Sequence, residues 1–382
     1  MTPPRSIAGV LVAAVAAVTL LAGCSTPAPA GDDALAVVVG GHANSPAPAA
    51  LGTVAEAIDA AVHGQAAAAV VVNAGTPTVA SQGALGLNCR NGASCDQAVQ
   101  QNTALLTGTV AQARADTPEN DLLGAIALGA RTLADHHGAR TLAVIDSGLQ
   151  TVAPLRFQDP GVLAADPGEV ADYLERGREL PELAGATVIF SGIGDTVAPQ
   201  APLPSAARAN LAAIWEAVAR RAGAATVRFV QAPLTGAPST GLPPVTAVPV
   251  GVPAAFEGAT LDLPETVLPF ERDTAVLKDP AAARAVLTGL ADRISARRTP
   301  VLLTGATANV GPLDGQRALG KARAEAIRAL LVGQLGVPAS LVATVGVGSA
   351  WQGYVHDHDA AGQLLPGPAA QNRRVIVAPR QP

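Results

Sequence analysis

The chain has 382 residues, 49% of them hydrophobic and 14% charged, which leaves room for two domains and ample apolar side chains for two cores. A formal net charge of -5 excludes the basic footprint of a nucleic-acid binder. Aromatic residues make up only 2%, so the cores must rest mostly on Val, Leu, Ile and Ala.

At the N-terminus, Arg5 precedes an apolar run from Ile7 to Ala22, which ends in Leu21-Ala22-Gly23-Cys24. A run of roughly 16 residues is short for a membrane span and suits the core of a secretory signal peptide. Small residues just before a cysteine resemble the bacterial lipobox. That resemblance implies removal of residues 1–23, acylation of Cys24 (palmitate among its chains) and a lipid anchor at the outer face of the cell membrane. The alternative is an ordinary signal peptide with an incidental cysteine. Residues 24–33, rich in Pro, Ala and Thr, then read as a flexible tether. Outside the cytoplasm, Cys89 and Cys95 are expected to form a disulfide around a polar Gly-containing loop, since further metal ligands are not near them.

Residues 34–232 alternate short β-branched runs with longer helical segments. Strands are expected at Ala34 to Val39, Ala67 to Val72, Thr141 to Ile145, Ala186 to Phe190 and Thr226 to Val230. Helices are expected at Leu51 to Val62, from a start at Thr117-Pro118 through Ala134, at Pro167 to Leu174 and at Ser205 to Arg221. In the last of these Ala209, Ala212, Ala213, Trp215 and Val218 are available for burial, and His136-His137 sits near the end of an earlier helix, where imidazoles complement the dipole. Continuously apolar strands separated by helices predict an α/β domain with a doubly wound, mostly parallel sheet. The loops Gly40-Gly41-His42, Asp146-Ser147 and Gly192 to Asp195 would then gather at the carboxyl edge of that sheet. The strand order, with Thr117, Asp121 and Asp146-Ser147-Gly148, resembles a von Willebrand factor A-type domain. That family binds a divalent cation through an Asp-x-Ser-x-Ser loop; here the loop reads Gly40-Gly41-His42-Ala43-Asn44-Ser45, so no metal site is expected.

Residues 233–263 are rich in Pro and Gly, and Leu242-Pro243-Pro244 and Val248-Pro249-Val250 do not suit central strands, which marks an interdomain connection. Residues 264–382 then read as Val267 to Leu277 (a Phe-containing first strand), a helix from Pro280 to Arg293, a strand Val301 to Thr304, a helix Ala318 to Leu331, a strand Leu341 to Gly346 and a strand Val375 to Val377. The turn Gly305-Ala306-Thr307-Ala308-Asn309-Val310-Gly311 leads to Gln316 and to Leu319-Gly320-Lys321-Ala322-Arg323-Ala324, and the chain closes with Asn372-Arg373-Arg374.

Those three motifs, in that order, resemble the OmpA-like peptidoglycan-binding domain, an α+β fold of βαβαβ type. The resemblance implies contact with the diaminopimelate residue of the wall peptide, with Arg323 taking its carboxylate and Gln316, Thr307, Asn309 and Arg374 lining or bracing the cleft. The family places an Asp in the turn to receive the ligand's ammonium; here Ala308 stands there. Loss of that charge-assisted contact costs roughly 1.5–3 kcal/mol, about ten- to a hundredfold in affinity. Asp314 in the next loop is a candidate substitute.

The cluster His356-Asp357-His358-Asp359 reads as a polar surface loop, with zinc ligation as the alternative. Asp146-Ser147 lacks the Gly-x-Ser-x-Gly elbow of a hydrolase, and neither a Walker loop nor a dinucleotide fingerprint occurs. No cofactor and no enzymatic chemistry are expected. The sequence therefore predicts a lipid-anchored protein of the cell envelope that meets peptidoglycan through residues 264–382 and an unidentified envelope protein through residues 34–232. The alternative is an interaction scaffold that has lost peptidoglycan binding with the turn Asp.

Overall fold

The computed structural model describes residues 31–87, 89, 91–250 and 260–380. The expected signal peptide, the acylation site Cys24 and part of the tether lie outside the described residues, as does the centre of the Pro/Gly-rich connection.

The first domain is built on a sheet of six strands: β1 (Ala34–Val39), β2 (Ala67–Val72), β3 (Thr78–Ala84), β4 (Arg140–Ile145), β5 (Thr187–Ser191) and β6 (Thr226–Phe229). Their order is β3-β2-β1-β4-β5-β6, all parallel except β3, which returns antiparallel beside β2. Strand β1 is buried on both faces. Ala34, Ala36 and Val38 face α3 (Leu122–Thr132), α4 (Pro167–Gly177) and α5 (Ser205–Arg221), whereas Leu35, Val37 and Val39 face α1 (Thr53–His63) and α2 (Gly92–Gln112). Trp215 anchors the first of these cores, with its indole N–H donating to the Gly148 carbonyl at 2.9 Å and Phe157 and Phe190 within 6.5 Å of its ring. Each such large side chain contributes about 1.5–3 kcal/mol of burial.

Strand β3 and helix α2 carry no sequence signal of the expected kind. All of β3 is exposed, and α2 buries only Leu106 and Val110, so neither shows an apolar stripe. Helix α2 is instead set by its start: Asn91 and Ser94 form a reciprocal capping box, and Cys89 is joined to Cys95 just there. Three expectations are corrected. Helix α3 begins after Asp121, whose carboxylate caps Gly124, and the Thr117 hydroxyl accepts from the Gly75 amide. That helix ends at Thr132, so His136 and His137 lie beyond it, in the turn before β4. On α5 the buried residues are Leu211, Ile214, Trp215, Val218 and Ala219, while Ala209 is exposed.

The second sheet contains β7 (Leu261–Pro264), β8 (Val301–Ala306), β9 (Val342–Gly348) and β10 (Arg374–Pro379), in the order β7-β10-β8-β9. Strands β8 and β9 are parallel, joined by the crossover helix α7 (Leu313–Gly333); β10 runs antiparallel to β7 and β8. Helices α6 (Pro280–Arg297) and α7 cover one face, packing Leu287, Ile294, Ile327 and Leu331 against Leu263, Val301, Leu303, Val375 and Val377. The first strand of this sheet is thus Leu261–Pro264, which begins inside the stretch read as connection; Val267 to Leu277 forms only a bridge between Phe270 and Leu277. Val248, also within that stretch, is buried in the first domain's core, where Gln200 bonds its backbone N–H and C=O at 2.7 and 2.9 Å. A short helix α8 (Pro366–Asn372), not expected from the sequence, precedes β10 and rests on the 3-10 turn Val162–Ala164 of the first domain.

Candidate functional site

The most specific arrangement of polar groups lies where the loop after β8 meets the first turns of α7. Helix α7 approaches this sheet backbone to backbone: a Cβ on Gly320 would lie 2.3 Å from the Gly305 carbonyl oxygen, and one on Gly346 only 1.9 Å from that of Arg317. Beside this contact lies a cleft of about 110 Å³ lined by Asp273, Thr307, Ala308, Gln316, Arg323 and Arg373 among others.

Each sequence-expected residue has a defined place. Gln316, 4% exposed, is a tie between three segments: its amide donates to Asn309 Oδ1 at 3.0 Å and to the Gly311 carbonyl at 2.8 Å, and its oxygen accepts from the Ser349 amide. Thr307 is buried, with its hydroxyl bound to the Ala308 carbonyl. Asn309 donates its backbone N–H to Asp357 at 2.9 Å. Arg323 is 4% exposed: its Nε donates to the Thr274 carbonyl at 2.9 Å, its Nη1 is 3.1 Å from Glu265, and its guanidinium lies 5.1 Å over the Phe270 ring. Burial pushes the Arg323 pKa below its ordinary value, against the pull of Glu265; burial likewise raises that of Glu265, against Arg323 and Arg373.

Two expectations fail geometrically. Arg374 is turned away from the cleft, bonded to Asp262 at 2.8 Å and lying 5.4 Å from the Trp351 ring centre. Its neighbour Arg373 lines the cleft in its place. Asp314 points to solvent beside Arg317 and does not enter the space left at Ala308; the carboxylate in the cleft wall is Asp273. The period-two pattern could have found Arg373, because it shares the parity of the buried Val375 and Val377.

Asp357 is a hub and not part of a surface loop. Its fully buried carboxylate accepts from Tyr354 Oη, the Asn309 amide and Asn372 Nδ2, and lies 2.9 Å from His358 Nδ1. Burial raises its pKa, but these bonds outweigh that and hold it below the ordinary value. Asp359 accepts from the amides of Ala361 and Gln363 and shapes its own turn. Among the described residues no group of three or more His, Cys, Asp or Glu side chains is placed to hold a metal.

Residues 269–362 match the model of the OmpA family. The C-terminal part of the chain carries an OmpA-like domain. Solved structures similar to it include the peptidoglycan-associated lipoprotein from Burkholderia pseudomallei (27% identity, covering 31% of this chain and 89% of that one, TM-score 0.25). Others are the cell wall anchor of the T6SS from Pseudomonas aeruginosa (24%, 32% and 81%, TM-score 0.25) and a putative MotB-like protein from Desulfovibrio vulgaris (23%, 34% and 81%, TM-score 0.26). No curated protein matches the chain.

In the first domain the loops after β1, β4 and β5 do gather at the carboxyl edge, beside the point between β1 and β4 where the strand order reverses: the chain passes from β1 to β2 and β3 on one side and then crosses to β4 on the other. Asp146 is the centre of that edge. Asn73 Nδ2 donates to it at 2.9 Å, Asn120 Nδ2 at 3.1 Å and the Gly148 amide at 2.7 Å, and a Cβ on Gly40 would lie 1.7 Å from its oxygen. The carboxylate is saturated by amides, and the Ser147 hydroxyl accepts from the Leu149 amide as a turn residue. His42 lies buried nearby with neither ring nitrogen bonded, and burial lowers its pKa against the opposing carboxylates of Asp146 and Glu119.

Proposed function

We propose that this protein is a non-catalytic component of the bacterial cell envelope that contacts peptidoglycan through its OmpA-like domain. The reading is supported above all by Arg323, a guanidinium buried at the foot of a cleft in the part of the chain that matches the OmpA family. A guanidinium in low dielectric is a strong receptor for a carboxylate. Arg373 adds a second cation and Asp273 a carboxylate, so the cleft offers both signs of charge to an amino-acid zwitterion such as the diaminopimelate of the wall peptide. Thr307 and Gln316 shape the walls. Acylation at Cys24 would hold the chain on the outer face of the membrane, and the N-terminal domain would meet an envelope protein.

The test is sedimentation of the full-length chain with purified sacculi, with Arg323→Ala as the comparison and circular dichroism to establish that both are folded. Wild type is expected in the pellet and the variant in the supernatant. Equal partition of two folded proteins ends the wall-binding reading.

A second reading is favoured by Ala308 and by the internal carboxylates that already answer both arginines: an interaction scaffold whose cleft takes no wall ligand. It is distinguished by an unchanged melting temperature with diaminopimelate-containing muropeptide or with Mg²⁺, together with protein partners recovered by crosslinking.

A further inference from the structure

The OmpA-like cleft is bound to the N-terminal domain through one of its own arginines. Arg373 donates Nη1 to Glu169 Oε2 at 2.9 Å and Nη2 to the other carboxylate oxygen, a bidentate pair with both side chains no more than 10% exposed. Glu169 belongs to the first turn of α4, in the other domain. Glu169 also draws the Arg373 pKa up, in opposition to burial. Around the pair the domains touch closely. Gln371 donates to the Pro160 carbonyl at 2.9 Å, and Gly161 meets Gly367 so tightly that a Cβ on Gly161 would lie 2.1 Å from its carbonyl oxygen. A forked carboxylate on a buried guanidinium is the contact that a ligand carboxylate would itself make. Glu169 therefore presents to Arg373 the group expected of a wall peptide.

We propose that the N-terminal domain gates the cleft: Glu169 occupies Arg373 in the docked form, and a carboxylate of the wall peptide gains that arginine as docking is released. The inference rests on the wall-binding reading above. The two events compete for one guanidinium, so peptide loosens the domain contact by the same free energy with which docking weakens peptide binding. A chain whose N-terminal domain is drawn off by a partner would then grip the wall more tightly than an unengaged chain.

Two variants of the full-length chain release the contact by different means. Glu169→Gln removes the charge with little change of shape, and Gly161→Val drives a wedge against Gly367 while substituting no cleft residue. Amide exchange across Pro366–Asn372 reads docking, and co-sedimentation with sacculi reads binding. Both variants should exchange faster there and bind sacculi about tenfold more tightly, the gain expected where the docked form makes up about nine-tenths of the population. Faster exchange with sacculus affinity equal to that of a binding wild type overturns the gate and leaves the wall-binding reading standing. Failure of docked and undocked chains alike to bind overturns both. Unchanged exchange in both variants overturns the role of Glu169 as the latch.

Discussion

Glu265 lies 3.1 Å from Arg323, and both are nearly enclosed, the carboxylate on the residue after β7 and the guanidinium midway along α7. The pair joins the first strand of the OmpA-like sheet to the helix that walls the cleft. Removing one partner leaves the other as a buried charge, a loss of about 3–5 kcal/mol. Arg323→Gln should therefore be strongly destabilising in urea titration, and Arg323→Met with Glu265→Met much less so. Burial already raises the Glu265 pKa, and loss of Arg323 raises it further. Protonation then relieves the stranded charge, so the deficit of Arg323→Gln should narrow as pH falls. A deficit independent of pH would place the cost in packing alone.

His42 predicts an acid-side weakness in the N-terminal domain. Its folded pKa is below the ordinary 6.5, because burial disfavours the cation more than Asp146 and Glu119 favour it. The unfolded chain takes up a proton near 6.5 and the folded chain does not. Stability is thus complete above that value and declines as pH falls below it, by up to about 1.4 kcal/mol per pH unit. His42→Leu removes the titration and two unbonded ring nitrogens. Urea midpoints of this variant should be flatter than wild type over the range below 6.5 and no lower than wild type above it.

Asp357 predicts a second acid dependence of the opposite kind of group. Its hydrogen bonds hold its pKa below the ordinary 3.8, so its contribution is present above that value and is lost as pH falls through the depressed one. Asp357→Ala removes the acceptor of the Asn309 amide, Tyr354 and Asn372 together. A loss of about 2–4 kcal/mol is expected from charge-assisted bonds in a buried site. Faster amide exchange at Asn309 would accompany it, since that turn loses its anchor.

How much of this is legible in the sequence follows from what each signal measures. Strands β1, β2, β4 and β5 can be read because both faces are buried, which leaves unbroken apolar runs. Strand β3 cannot, because all of its residues are exposed and no apolar run marks it. Arg323 is found through a motif in which helix spacing fixes its direction. Adjacency within Asn372-Arg373-Arg374 points to Arg374 over Arg373 only when the alternation that buries one of the two is disregarded. Glu265 and Glu169 are invisible as site residues. Their partners are 58 and 204 positions away, and no local pattern encodes an ion pair across such separations.

The backbone contact between α7 and β8 gives the last prediction. Gly320 and Gly305 face one another so closely that a Cβ on either would lie 2.3 or 1.8 Å from the other's carbonyl oxygen, and neither obstacle is a flexible side chain. Gly320→Ala gains about 1 kcal/mol of intrinsic helix propensity but must push the helix from the sheet. Overpacking against rigid backbone costs about 1–3 kcal/mol, so the net effect should be destabilising. Gly289 lies inside α6, and a Cβ there would meet nothing within 4 Å, so Gly289→Ala should instead stabilise by about 0.5–1 kcal/mol. Outward movement of α7 would also carry Gln316 away from Asn309 and Arg323 away from Glu265, so Gly320→Ala should lose sacculus binding at temperatures where it is still folded. Retention of full binding by a folded Gly320→Ala protein would mean that the cleft does not depend on this contact.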